Sequence, residues 1–261
     1  MLNTNTEAPG AGNRDTSNAR PMAGGTPQTL WTAVIQPAAQ GSSEHMGSLF
    51  RTYQPSVTAL MRQHRPGLAQ GDVEDLYHEF VRVCLHRDFL ANVDRAKGRF
   101  RHFLWTCVRR FLQDVHERHQ RRPEAQVDGQ VENGVGDEPG IEIPHPEDAG
   151  WMAMDEAWAR QVEAIALKAV AIEMHDARRP GAVRECVLAR LKGIAKGTLK
   201  EDAQLLGIDE ASFNNVFYAA RNSYRRFLRM ELSRQVAAED LNDELEHLAR
   251  VLARVRSMER D

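Results

Sequence analysis

Six residues of one stretch, His102, Trp105, Arg109, Gln113, His116 and Gln120, recur at three- and four-residue spacing. On a helix that spacing makes a single stripe. The stripe holds no carboxylate and joins a large aromatic ring to cationic, imidazole and amide groups, a set suited to stacking on bases and bonding base edges and phosphates. A second set, Ser212, Asn214, Asn215, Tyr218, Arg221, Asn222 and Arg225, follows Gly207-Ile208-Asp209. Where such a turn joins two helices, these residues form the exposed side of the second. Asn can meet adenine through two hydrogen bonds, and Arg can address bases or phosphates. Each set has a plainer alternative: a solvated helix face with one exposed Trp, and an ordinary helical hairpin.

Patterns for catalysis or metal binding are weak. His116 and His119 are three apart but lack a third ligand nearby, and after His78-Glu79 the second His of HExxH is replaced by Arg82. No phosphate-cradling Gly-rich loop and no nucleophile elbow occurs. Asp75 and Glu79, one turn apart, read as a charged patch on a helix rather than an acid–base couple. No enzymatic activity, cofactor or metal is expected.

The charges are segregated along the chain. Of 261 residues with net charge −3, the stretch 95–122 holds nine Arg or Lys against two acids, a balance of +7. Residues 123–158 hold ten acids and no Arg or Lys, and residues 212–230 hold four Arg and no acid. Two basic blocks around an acidic, Gly- and Pro-bearing segment suggest two polyanion-facing modules on a linker. At 42% hydrophobic and 27% charged, the composition excludes a wholly disordered chain. Cys84, Cys107 and Cys186 are widely spaced and odd in number, as in a protein with reduced thiols. The first thirty residues carry no basic stretch followed by an apolar one, and no eighteen-residue apolar run occurs. Neither a secretory signal nor membrane insertion is expected, and the cytoplasm is the expected compartment.

Apolar periodicity predicts helices only, so the expected class is all-α. Helices are predicted over 29–39, over 44–64 with a break or restart near Pro55, and from an N-cap at Asp72. The helix 100–120 buries Phe100, Phe103, Leu104, Cys107, Val108, Phe111 and Val115. Further helices are predicted over 151–174, 181–191, 199–206, 210–231 and 238–257. Ala203 and Gly207 stand where two helices of a helix-turn-helix cross and turn, with Leu206, Ile208, Phe213 and Val216 at the packing positions. Asp202 fills one expected apolar position. In the last helix Leu241, Leu245, Leu248, Leu252 and Val255 form a narrow stripe for docking on another helix.

Gly71 to Phe80, reading Gly-Asp-Val-Glu-Asp-Leu-Tyr-His-Glu-Phe, resembles the acidic signature of the second region of bacterial sigma factors. The run Lys97-Gly98-Arg99-Phe100-Arg101-His102-Phe103-Leu104-Trp105, continuing to Asp114, resembles the promoter-melting part of that region in one subgroup of extracytoplasmic-function sigma factors. Residues 199–232 are similar to the fourth sigma region, and the flanks Thr29-Leu30-Trp31 and 241–248 are similar to the subgroup's flanking parts.

The resemblance implies that Asp75, Leu76, His78, Glu79 and Phe80 dock on core RNA polymerase. It implies that Arg99, Arg101, His102, Trp105, Arg109, Gln113 and His116 contact and open promoter DNA. His78 stands where the family usually has Gln, and Asn214 and Ala219 stand where many relatives carry basic residues. The expected organisation is a leader (1–25) expected to be disordered, a region-2-like domain (26–122), a flexible acidic linker (123–150), a region-4-like domain (151–235) and a C-terminal amphipathic helix (236–261). An anti-sigma factor or another regulator is a further partner to expect. The alternatives are a stand-alone helix-turn-helix regulator without polymerase contact, and a last helix that acts as a regulatory arm over the basic faces.

Overall fold

Three- and four-residue apolar spacing recurs throughout, and all regular structure among the described residues is helical. The computed structural model describes residues 42–86, 99–121 and 144–259, with positions 38, 40 and 90. Eight helices are described: α1 Ser43–His64, α2 Gln70–His86, α3 Phe100–Arg121, α4 Ala149–Asp176, α5 Gly181–Leu191, α6 Leu199–Leu205, α7 Glu210–Gln235 and α8 Leu241–Met258. The expected leader, the helix 29–39 with Trp31 apart from position 38, and linker residues 123–143 lie outside the described residues.

Local chemistry explains most boundaries. Asp148 caps α4 by accepting from the Trp151 amide at 2.7 Å, and Asp209 caps α7 through the Ser212 amide at 2.9 Å. Thr198 and Glu201 form a reciprocal capping box on α6. Two predictions are corrected here. α1 runs unbroken through Pro55, which lies on its exposed side, where water can serve the carbonyl that a prolyl nitrogen leaves free. α2 begins before Asp72, whose carboxylate instead reaches back to the Ala69 amide at 3.3 Å.

Two apolar cores share α4, a 28-residue helix of about 42 Å at 1.5 Å per residue. The first core gathers α1, α2, α3, the opening half of α4 (Trp151, Met154, Trp158, Val162), Leu232 at the end of α7, and α8. The second gathers the closing half of α4 (Ala166, Val170, Met174) with α5, α6 and the rest of α7, and Leu228 borders both. The expected boundaries at 150 and 235 therefore do not divide the packing. Residues 151–162 and the last helix both belong to the first core. Pro144 and Gly150, expected in the linker, are buried. A Cβ at Gly150 would stand 2.6 Å from both Leu60 and His64, so glycine sets how closely α4 approaches α1.

No helix among the described residues is long and apolar enough to cross a membrane.

Candidate nucleic-acid interface

α3 is apolar on one side, and Phe100, Phe103, Leu104, Val108, Phe111 and Val115 enter the first core as predicted. Cys107 is only half-buried, and Leu112 is buried in addition. The opposite side departs further from expectation. Trp105 is 2% exposed and belongs to the same core, so it offers no open ring to a base. Arg101 is 3% exposed. These two positions in the DNA-facing set are corrected: both are buried at the first core, and α4 and α8 cover the start of α3 through Trp151, Trp158, Asp155 and Glu244. Arg109, Gln113 and His116 remain exposed, and Arg109 lies 5.1 Å from the Trp105 ring centroid. The Gln120 side chain lies outside the described residues.

Arg101 is held from three sides. Its guanidinium lies 3.5 Å from the Trp158 ring centroid, bonds Glu244, and stands 3.5 Å from an Asp155 oxygen. Arg99 places Nη1 2.8 Å from the other Glu244 oxygen. Glu244 is 0% exposed, so one carboxylate of α8 sits between two guanidiniums of the α3 start. Asp155 also accepts from His247 Nε2 at 2.8 Å. Burial works to raise the Asp155 carboxyl, but the His247 hydrogen bond and the Arg101 charge together hold it below its ordinary value. The His102 ring packs edge-on against Trp151, 5.1 Å between centroids. Burial and then the Arg101 and Arg99 charges lower its pKa to about 4. His102 is therefore neutral at pH 7.

The residues expected to meet polymerase divide between surface and core. Asp75 and His78 are exposed on α2, and half-buried Glu79 accepts from Arg118 at 3.0 Å. Leu76 and Phe80 are buried; Phe80 packs on Phe50 and Phe111 at 6.3 and 5.5 Å between ring centroids. Their expected direct contact is corrected to support: they anchor the helix whose outer face carries Asp75, His78 and Glu79.

The second set sits on a helix-turn-helix. Ala203 and Phe213 are buried where α6 and α7 cross. Gly207 adopts φ +65°, and the Ile208 amide donates to the Ala203 carbonyl at 3.0 Å, closing the end of α6. Asp202, out of place among apolar positions, pairs with Arg190 of α5. The hydrogen bond from Arg190 lowers the Asp202 carboxyl below its ordinary range. Arg190 also donates to the Gly197 and Thr198 carbonyls at 2.9 and 2.7 Å, tying α5 to the loop before α6. On α7, Ser212, Asn215, Tyr218, Arg221, Asn222 and Arg225 are exposed, with Tyr218 at 51%. Asn214 is half-buried with its amide oxygen enclosed, so it leaves the outward stripe. Arg226 is tied to Glu173 at 2.7 Å.

Sequence reasoning passed over Glu244, Asp155 and His247. Glu244 carried a usable signal, since it lies on the buried side of α8 between Leu241 and Leu248. A carboxylate at such a position demands a buried cation. No group of His, Cys, Asp or Glu among the described residues is arranged to hold a metal ion. No protein-family model, curated protein or solved structure matches the chain.

Proposed function

We propose that this chain is a sigma factor of the extracytoplasmic-function type, which binds core RNA polymerase and directs it to promoters. The observation that carries this reading is the α6–turn–α7 unit, with a left-handed glycine at the turn and an open stripe of Ser212, Asn215, Tyr218, Arg221, Asn222 and Arg225. In such a unit the second helix enters the major groove; its early residues meet base edges and its later arginines meet phosphates. The α2 face that carries exposed Asp75 and His78 with half-buried Glu79 is the polymerase-docking surface in this reading. Promoter opening needs aromatic and cationic surfaces to hold unstacked bases, not a catalytic group. The net charge of −3 weakens binding of the free chain to DNA, so promoter recognition belongs to the assembled holoenzyme.

The test is gel filtration with bacterial core RNA polymerase, comparing wild type with Asp75→Ala/Glu79→Ala. Asp75 is exposed and Glu79 makes a surface ion pair, so this variant should fold normally. Co-elution of wild type but not the variant is expected. Absence of co-elution by wild type removes the reading. Burial of Arg101 and Trp105 favours one second reading, a regulator that occupies DNA through α7 alone. Sequence-specific duplex binding without polymerase contact is its mark.

A further inference from the structure

We infer that α8 is a built-in occupant of the nucleic-acid face of α3, with Glu244 standing where a backbone phosphate would bind, so that strand binding requires α8 to leave. The inference rests on the proposed function, because it takes Arg99 and Arg101 as strand-binding groups.

A carboxylate between two guanidiniums uses the same charge-assisted bonds that a phosphate would use. Glu244 has that arrangement with Arg99 and Arg101. The closed state does not exhaust the donors beneath it. Arg101 Nε is buried without a hydrogen-bond partner among the described residues, and Nη2 reaches only an Asp155 oxygen at 3.5 Å. Leaving buried donors unused costs free energy, and a phosphate with several acceptor oxygens satisfies more of them than one carboxylate. A buried ion pair contributes little net stability, whereas breaking one and leaving a charge unpaired is costly. Exchange of Glu244 for phosphate avoids that cost, because the arginines stay paired while the glutamate moves into water.

α8 also seats Leu241, Leu248, Val251, Leu252 and Val255 in the first core, so its release must be driven by strand binding. Its outer contacts to α4 are polar: His247 to Asp155 at 2.8 Å, Arg254 to Glu156 at 3.2 Å, and Arg256 to Glu163. Only residues 236–240 separate α8 from α7, so a released helix remains tethered and re-docks as an intramolecular event.

The experiment uses the full chain, wild type and Glu244→Gln, titrated against a fluorescein-labelled single-stranded DNA oligonucleotide by anisotropy at several salt concentrations. Glu244→Gln keeps the shape and removes the charge. We expect it to bind at least about fivefold tighter. Its slope of log K against log salt should match that of wild type, because both bind the strand through the same phosphate contacts once α8 has left. Amide hydrogen exchange in wild-type α8 is the second readout and needs no variant to fold. Exchange across 248–255 should quicken at least about tenfold when the oligonucleotide saturates the protein.

Unchanged affinity together with unchanged α8 exchange overturns the inference; where the two readouts disagree, the wild-type exchange decides. Polymerase co-elution is scored separately. Co-elution with no oligonucleotide effect removes α8 as an occupant and leaves the sigma reading standing. Tighter binding by Glu244→Gln without co-elution keeps the occupant and removes the sigma reading.

Discussion

Arg99 and Arg101 at the start of α3, and Arg221 and Arg225 on α7, are the same residue type at the same kind of place: a helix in a basic block. Their surroundings differ completely. The first pair is roofed by α8, paired with Glu244, and in the case of Arg101 laid on Trp158. The second pair is exposed and makes no ion pair among the described residues. The difference teaches that a basic stripe reports capacity, while accessibility depends on which acid the fold brings to it. An arginine on an indole between two carboxylates acts as a structural part of the core. An arginine on an open helix face is available to a polyanion.

The largest expected contrast comes from removing the support under the covered pair. Trp158→Ala takes away the ring beneath Arg101 and the indole N–H that donates to Gln235 at 2.8 Å, and should cost about 3–5 kcal/mol in urea denaturation. Arg225→Ala, on the open face, should stay within about 0.5 kcal/mol. Similar losses for both would erase the distinction.

Acid should next separate the two regions. The His102 pKa is lowered to about 4 from an ordinary 6.5, so the unfolded chain binds more protons between those values. Stability must therefore be full above about pH 6.5 and fall progressively down to about 4. Asp155, held below its ordinary 3.8, extends the loss further into acid as its carboxyl is protonated. The open α7 face rests on arginines that stay charged throughout. The urea midpoint followed by tryptophan fluorescence should drop across this range, because Trp105, Trp151 and Trp158 all lie in the first core. His102→Gln should flatten the drop, and an unchanged slope would show that another group carries it.

The smallest effect sharpens the second region. Gly207→Ala meets no atom within 4 Å, so its whole cost is backbone conformation at φ +65°, about 1 kcal/mol. A thermal melt monitored in the second core reads it, with the first core unaffected.

Much of the fold was legible because helices declare themselves through local spacing. α5, α6 and α7 begin at the predicted residues, and α3 spans its predicted range to within one residue. The turn at Gly207 was legible because only a small set of residues adopts its backbone conformation at low cost. Asp202 looked like a defect, since its partner Arg190 belongs to a different helix. Trp105 was placed on the wrong side because periodicity separates one apolar side from the rest and cannot tell whether the rest is also covered. The stripe of α8 was found, but its buried face runs through Glu244 and Val251, with Leu245 only partly buried.

Helix positions, the turn chemistry and the segregation of charge were thus already present in the order of residues, because each depends on neighbours within a few positions. Which arginines face water was not. Arg101 and Glu244 are 143 residues apart in the chain, and no local preference links them. Their pairing follows from α4 carrying Trp151 and Trp158 against α1 and α3, which creates an apolar seat for α8 and brings its one inward carboxylate onto the cations. Burial is a property of all the surfaces that meet at a point, and only the folded chain brings those surfaces together.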